Sequence, residues 1–180
     1  MRYLTLALCA VFASLILFFS QSMAQIVVPT KMNVELQDLS KEARQEVECL
    51  AQNMFFEAGQ EPREGQLGVA FVTHNRVLNG KYPTSYCGVV KQKVGNVCQF
   101  SWYCEAAARK RLLTLSSNPL YNNITDLALQ FYLYTDEFDD PTKGALFFHA
   151  DYVKPTWNNM RRTAYIGRHI FYNRVKQGRV

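Results

Sequence analysis

The sequence predicts an α+β fold that is mainly helical and forms a single domain. Two long segments have the apolar spacing of amphipathic helices, two further segments have helical propensity, and the other apolar runs are long enough only for short strands. Of the 180 residues, 48% are hydrophobic and 19% are charged, which is typical of a globular protein and excludes a disordered chain, a collagen and a bundle of membrane helices. The sequence has no internal repeat or low-complexity stretch that would indicate a second domain.

The first residues have the features of a signal peptide. Residues 4–19 carry no charge, follow Arg2, and lead to Ser22-Met23-Ala24, which has the small residues that a cleavage site requires. We therefore predict that residues 1–24 are a signal peptide and that the protein is exported to the periplasm or the medium. The alternative is a membrane anchor formed by uncleaved residues 4–19, because this run approaches the roughly 17 to 25 residues that span a bilayer.

The first two helices are predicted from their caps and their apolar spacing. After Ser40, a plausible N-cap, apolar residues recur every three to four positions until Gly59 ends the helix. A second helix should have Pro62 in its first turn and should end at Asn79-Gly80. We expect the two helices to form a helix-turn-helix pair.

The segment before these helices is predicted to be an extended arm. Residues 25–39 contain Pro29 and show no helical period. The domain itself is predicted over residues 40–180.

The middle of the chain has a less regular pattern. Residues 86–90 and 99–103 are predicted to be short strands or irregular segments on either side of Gly95-Asn96. Helices are predicted over residues 105–115 and 124–135, and we expect the chain to break between them at Asn118-Pro119.

The C-terminal part is predicted to contribute extended structure. Residues 139–144 have the composition of a turn. Residues 145–149 are predicted to be a short strand or a buried extended run, and residues 166–175 to be a last apolar segment.

The net charge limits the class of partner. The formal net charge is +5 at pH 7, which suits an anionic polymer. The positive charges are spread along the chain, without the dense Lys/Arg runs of a nucleic-acid binder. We therefore predict no nucleic-acid partner.

Four cysteines remain once the leader is removed, namely Cys49, Cys87, Cys98 and Cys104. In an exported protein cysteines are usually oxidised, and none of these has the C-x-x-C spacing that favours zinc. We predict two disulfides, with all three pairings of the four cysteines left open.

Glu57 is the candidate catalytic acid. At 100° per residue, it falls on the margin of the apolar stripe of the first helix and in the last turn of that helix. Burial and the negative end of the helix dipole would both raise the pKa of its carboxyl, as a general acid near neutral pH requires. The alternative is a side chain that turns outward and is solvated.

The remaining polar residues give weaker signals. Glu61 is expected to be an acid at the N-terminus of the second helix, where the dipole stabilises it. His149, His74 and His169 have no metal-ligand spacing, so we predict no metal site. Trp102 and Trp157 could pack in the core or stack on sugar faces.

Short motifs in a fixed order carry a resemblance to a known family. The run from Leu50 to Pro62 (LAQNMFFEAGQEP) is followed by Gly65-Gln66, Val69-Ala70 and Asn75-Arg76-Val77. Eight further motifs come after these: Tyr82-Pro83, Cys87-Gly88-Val89-Val90, Gln99-Phe100-Ser101-Trp102, Asp140-Pro141-Thr142, Gly144-Ala145-Leu146, Phe148-His149-Ala150, Pro155-x-Trp157 and Ile166-Gly167-x-His169-x-Phe171-Tyr172. From about residue 46 to residue 173, the chain resembles the spore-cortex-lytic (SleB-like) type of cell wall hydrolase.

The resemblance implies a small lysozyme-related domain that cleaves peptidoglycan between N-acetylmuramic acid and N-acetylglucosamine. Many members of the family are lytic transglycosylases, and no cofactor is implied. The catalytic glutamate of the family corresponds to Glu57. The implied substrate-binding residues are Glu61, Gln99, Ser101, Trp102 and His149.

The sequence departs from the family pattern beside the acid. Phe56, Gly59 and Gln60 stand where the family usually has Gly, Arg and Gly. The missing Arg implies one cationic partner fewer near the site. The acid itself is retained.

We expect a monomer that acts on peptidoglycan glycan strands, with no stable membrane partner if the leader is cleaved. A single catalytic Glu57 favours a lytic transglycosylase. A hydrolytic muramidase with Glu61, Asp139 or Asp140 as a second carboxylate is the rival. Two classes of exported protein without this activity also remain, a non-catalytic wall-binding protein and a secreted hydrolase inhibitor, and the intact acid argues against both.

Overall fold

Helix α1 (Lys41–Ala58) is the central element of the computed structural model, which describes residues 34–175. It begins after Ser40, whose hydroxyl accepts a hydrogen bond from the Ala43 N–H at 3.1 Å, and it ends at Gly59. Both bounds agree with the sequence prediction. One face of α1 is fully buried and contributes Val47, Leu50, Ala51 and Met54 to the core.

The predicted signal peptide and the first residues of the predicted arm lie outside the described residues. At the end of the arm, Leu36–Asp38 form a 3-10 turn, so this part is not extended. Within residues 34–175, no helix combines the length and the apolar character that a membrane crossing needs.

Helix α2 (Arg63–Leu78) packs against α1, as the predicted helix-turn-helix pair requires. Pro62 is its N-cap, and the chain leaves the helix at Asn79-Gly80. Gly68 faces the sheet, where an added Cβ would lie 2.7 Å from the ring of Phe171. The absence of a side chain at Gly68 therefore lets the fully buried Phe171 ring pack directly on the helix.

Residues 86–90 form a helix, α3 (Tyr86–Val90), so the strand or irregular segment predicted here is wrong. The Ser85 hydroxyl caps it by accepting from Gly88 N–H. A second cap comes from α1, because the Glu46 carboxylate accepts from the Tyr86 N–H at 2.6 Å. Periodicity within five residues does not reveal a cap that is supplied by another helix.

The next segment is a hairpin followed by a turn. Strands β1 (Lys93–Val94) and β2 (Val97–Cys98) pair antiparallel around Gly95-Asn96, which has the positive φ of +60° at Gly95 that such a turn requires. Of the short strand or irregular segment predicted over residues 99–103, the strand is wrong, because Ser101–Tyr103 form a 3-10 turn. The disulfide between Cys98 and Cys104 closes this turn.

Two further helices complete the helical layer. Helix α4 (Ala106–Leu112) agrees with the prediction, and a 3-10 turn (Leu115–Ser117) follows it. Helix α5 (Pro119–Leu133) begins five residues earlier than predicted. Asn118 caps it through two backbone N–H groups and Pro119 is its first residue. The dipeptide therefore separates the two helices, as predicted, and also starts the second one.

A three-stranded antiparallel sheet forms the C-terminal part, with the order β3-β5-β4. Strand β3 (Phe147–Ala150) and strand β5 (His169–Arg174) fall in the predicted segments. The sequence pattern does not predict strand β4 (Met160–Ile166), because it is an edge strand whose residues are mostly exposed or half-buried. Phe148 of β3 packs against all three buried clusters and so joins the sheet to the helices.

Both predicted disulfides are present, as Cys49–Cys87 and Cys98–Cys104. They join residues 38 and 6 positions apart. A disulfide that closes a longer loop removes more conformational entropy from the unfolded chain, so the Cys49–Cys87 bridge should stabilise the fold more. We expect Cys87→Ser to lower the free energy of unfolding by about 4 kcal/mol and Cys104→Ser to lower it by about 2 kcal/mol.

Chemical denaturation measures these losses, and mass spectrometry with and without reduction measures the number of bridges. Four free thiols in protein recovered from the periplasm or medium would contradict the assignment.

Candidate active site

Glu57 lies in the last turn of α1 with its side chain partly buried. Burial raises the pKa of this carboxyl from its ordinary value of 4.5 to about 7, the Arg76 guanidinium opposes the rise, and the Glu105 carboxylate adds to it. Among residues 34–175, no side chain or backbone group forms a hydrogen bond with the Glu57 carboxylate. Glu57 is therefore an acid poised to exchange a proton near neutral pH.

A buried hydrogen-bond chain fixes the structure on the α1 side of Glu57. The Trp102 indole N–H donates to Asn53 Oδ1 at 2.9 Å, and Asn53 Nδ2 donates to Thr73 Oγ1 at 3.1 Å. The ring of Phe56, next to Glu57, stacks on Trp102 with ring centroids 4.6 Å apart. Only 4% of Trp102 is exposed, so its ring contacts the protein and not the solvent. Of the two roles predicted for Trp102, packing in the core and stacking on a sugar, the structure shows packing.

Arg76 of α2 is the cation that acts on Glu57. Its side chain is 5% exposed, and its Nε donates to the Leu146 carbonyl at 2.9 Å. The guanidinium lies over the rings of Phe100 and Tyr82, at 5.0 and 5.4 Å from their centroids. These contacts fix the cation in place, while its Nη1 has no hydrogen-bond partner among the described residues.

Ser101 and Glu105 bring a second carboxylate to this region. The Ser101 hydroxyl donates to Glu105 Oε1 at 2.9 Å, and both residues are exposed. The sequence pattern does not single out Glu105. It points to Asp139, Asp140 and Glu61 as candidates for the second carboxylate of a muramidase. The signal that could identify it is its place directly after Cys104, because the Cys98–Cys104 disulfide folds this segment into the turn that carries Ser101.

Glu61 has a different set of contacts. Its carboxylate accepts hydrogen bonds from Arg168 N at 2.9 Å and Arg168 Nε at 3.1 Å. Burial acts to raise the pKa of Glu61, but these hydrogen bonds, together with the charges of His169 and Arg168, outweigh it and lower the pKa. The approach is close, since a Cβ at Gly167 would collide with Glu61 Oε2. Glu61 therefore joins the start of α2 to the turn between β4 and β5.

His149 lies on β3 and is held through both ring nitrogens. Nδ1 lies 2.8 Å from the Ala150 carbonyl, which can only accept, so Nδ1 carries the proton, and Nε2 lies 3.1 Å from the Tyr172 hydroxyl. The imidazole stacks on Tyr172 and meets Trp157 edge-on. Trp157 is 42% exposed, so it presents an aromatic face to solvent beside His149.

Gln99 lines an open cleft of about 1200 Å³ between the β1–β2 hairpin and the C-terminal sheet. We call it the basic cleft, because the described residues that line it include Lys81, Arg161 and Arg174 and no acidic residue. Within the described part of the chain, no three His, Cys, Asp or Glu side chains cluster as they would around a metal ion.

Apart from Gln99, which lines the basic cleft, the predicted site residues fall into two groups. The first group surrounds Glu57 at the end of α1. Ser101 binds Glu105, whose charge acts on Glu57, and Trp102 stacks on Phe56, the residue before Glu57. Glu61 and His149 share a second neighbourhood around His169, whose pKa is lowered by burial and modified by both of their charges. The Glu57 carboxyl is not among the charges that shift the pKa of Glu61.

Comparison with known proteins identifies the family. The family described as Cell Wall Hydrolase matches residues 60–172. The match begins three positions after Glu57 and includes the five predicted substrate-binding residues. No curated protein matches the chain.

Two solved structures are similar to the chain. One is the catalytic domain of the germination-specific lytic transglycosylase SleB from Bacillus anthracis, with 24% identity and a TM-score of 0.54 over 75% of this chain and 97% of that one. The other is the catalytic domain of the Bacillus cereus SleB protein, with 22% identity and a TM-score of 0.47 over 81% of this chain and 99% of that one. The first match supports the mainly helical α+β fold.

Burial of Glu57 predicts a pH-dependent effect on stability. Between pH 4.5 and about 7 the carboxyl is ionised in the unfolded protein while it is still protonated in the folded one. Its contribution to the free energy of unfolding is therefore complete below pH 4.5 and is lost as the pH rises through about 7. Glu57→Gln removes this loss. We expect the variant to gain up to about 3 kcal/mol relative to the wild type between pH 4 and pH 8.

Urea denaturation at the two pH values measures the difference. Glu64→Gln, which changes an exposed acid in the first turn of α2, is the matched control. Equal pH dependence in the wild type and Glu57→Gln would show that Glu57 is solvated.

Proposed function

The chain belongs to the cell wall hydrolase family and is an enzyme that acts on the cell wall, and from this premise we propose that it is a lytic transglycosylase with Glu57 as its catalytic acid. The bond that breaks joins N-acetylmuramic acid to N-acetylglucosamine in the glycan strand of peptidoglycan. The observation that carries the proposal is the partly buried Glu57 carboxyl, whose pKa burial raises to about 7.

One residue suffices for both proton transfers of such a reaction. Glu57 donates its proton to the glycosidic oxygen as the bond from that oxygen to the anomeric carbon of the muramic acid breaks. The resulting carboxylate then removes the proton from the 6-hydroxyl of the same sugar, whose oxygen forms the new bond to the anomeric carbon. The acid is thereby restored, and the intramolecular attack benefits from proximity.

Arg76 favours the ionised state of Glu57. The buried guanidinium opposes the desolvation that keeps the carboxyl protonated, so ionisation near neutral pH stays accessible. The hydrogen bond from Nε to the Leu146 carbonyl keeps the cation in place during the reaction. A fixed charge of this kind costs no reorganisation when the glutamate becomes negative.

Three of the predicted residues, Gln99, Ser101 and His149, are assigned to substrate binding. The buried Trp102 and the Glu61 carboxylate, which pairs with Arg168, are assigned to holding the site in place. Gln99 and Ser101 flank Phe100, with Gln99 on the basic cleft and Ser101 beside Glu105. Trp102 acts through Phe56, on which it stacks. His149 acts together with the exposed ring of Trp157, which suits stacking on a sugar.

A second candidate function is hydrolysis by a muramidase, and Glu105 is the specific observation that favours it. Its carboxylate is exposed, is oriented by Ser101, and lies near enough to Glu57 to raise the pKa of that acid. In an inverting glycosidase, a second carboxylate activates water on the opposite face of the sugar. Glu105 would be that base.

We also propose that the protein works outside the cytoplasm. Residues 1–24 would direct export and be removed, which leaves the arm and the domain. The Cys49–Cys87 and Cys98–Cys104 bridges support this, because disulfides persist in oxidising compartments.

Glutamine variants test the catalytic acid. Glu57→Gln keeps the shape of the side chain but delivers no proton, so we expect turnover of purified peptidoglycan to fall by about 10²- to 10⁴-fold. Glu61→Gln retains an oxygen that can accept from Arg168, and we expect measurable activity. A folded Glu57→Gln variant that lyses walls at the wild-type rate would show that the acid is misassigned.

The product distinguishes the two reactions. We expect muropeptides that end in 1,6-anhydro-muramic acid, are lighter than hydrolytic products by one water, and resist borohydride reduction. Mass spectrometry before and after borohydride treatment checks this. Products that are reduced normally, together with loss of activity in Glu105→Gln, would assign the enzyme as a muramidase.

A further inference from the structure

We propose that the basic cleft binds the acidic peptide stems that peptidoglycan carries on its muramic acid residues, so that the enzyme prefers peptide-bearing glycan strands. The inference rests on the proposed function and deepens it by naming a second part of the substrate. The ligand is a short peptide with free carboxylates.

The charges of the cleft match such a ligand. Lys81, Arg161 and Arg174 come from three different parts of the chain and converge on one cavity whose lining includes no Asp or Glu. The Arg174 guanidinium lies 5.4 Å from the centroid of the Phe147 ring, which limits its freedom. Several cations without a neighbouring acid favour the binding of carboxylates.

The polar lining suits a peptide as well. Five amide side chains line the cleft, from Asn79, Gln92, Gln99, Asn159 and Asn173. The side-chain oxygen of Gln92 is buried and has no hydrogen-bond partner among the described residues, so it can accept from a ligand N–H. Asn173 is held by donating to the Gly144 carbonyl at 2.7 Å.

The size of the cleft favours the peptide over a smaller group. Its volume of about 1200 Å³ exceeds the roughly 300 to 1,000 Å³ of typical small-molecule sites. A single lactyl carboxylate, which muramic acid exposes once its peptide is removed, would leave most of this space empty. A stem of several residues would fill it.

The position of the cleft links it to the acid. Arg76, whose charge acts on Glu57, donates to the Leu146 carbonyl and lies over the Tyr82 and Phe147 rings. Leu146, Tyr82 and Phe147 all line the cleft. Arg76 therefore contacts the wall of the cleft and, through its charge, acts on Glu57. This places the cleft next to the proposed acid, on the side where we propose that the stem of a bound muramic acid lies.

Binding is tested first, in the Glu57→Gln protein, so that no turnover is needed. NMR titration uses the tetrapeptide L-Ala-γ-D-Glu-diaminopimelate-D-Ala and the same peptide with amidated carboxyls. We expect saturable binding of the acidic peptide and about tenfold weaker binding of the amidated one. The double variant Arg161→Gln/Arg174→Gln should bind the acidic peptide more weakly by a similar factor.

Arg162→Gln is the matched control, because Arg162 is exposed, adjoins Arg161 on β4 and does not line the cleft. We expect it to bind like the parent. Equal binding of the two peptides, no binding of either, or an equal loss in the control would overturn the proposal.

Kinetics of the wild type then separate the role of the cleft from the proposed cleavage reaction. We expect a KM several-fold higher for glycan strands stripped by an amidase than for peptide-bearing strands, at similar kcat, and the difference should vanish in Arg161→Gln/Arg174→Gln. Equal KM values for both substrates would overturn the role of the cleft and leave the cleavage reaction intact. Acidic-peptide binding without cleavage of either substrate would support the cleft and contradict the proposed function.

Discussion

The chemistry proposed for this protein depends on the balance between two side chains, the partly buried carboxyl of Glu57 and the buried guanidinium of Arg76. Desolvation alone would keep the acid protonated, and a strong ion pair alone would keep it ionised. Here desolvation is the larger effect and Arg76 opposes it, so the pKa of Glu57 lies at about 7. An acid in this range can give up a proton and take one back in the same reaction cycle.

The rest of the fold holds these two groups in place. Helix α1 carries Glu57 and helix α2 carries Arg76, and the Asn53–Thr73 hydrogen bond joins the helices inside the core. The sheet contributes through the Phe147 ring and through the carbonyl of Leu146, the residue directly before β3, and both contact the guanidinium. The helical layer and the sheet are therefore both required to form the site.

The sequence predicts what is local and misses what distant elements supply. The bounds of α1 and α2, the marginal position of Glu57 and the number of disulfides follow from caps, periodicity and cysteine count. Periodicity misses helix α3 because Glu46 caps it from another helix. It also misses Glu105, whose relation to Glu57 depends on a disulfide-closed turn. The family pattern includes Arg76, but its contact with the charge of Glu57 depends on how α2 packs against α1, which the sequence does not show.

The ionisation of Glu57 is the most direct measurement of this balance. A carbon-13 NMR titration of the glutamate carboxyls, with Glu57→Gln to assign the signal, reports its pKa in the folded protein. We expect a midpoint at about 7. A midpoint near the ordinary value of 4.5 would contradict the assignment of Glu57 as the acid.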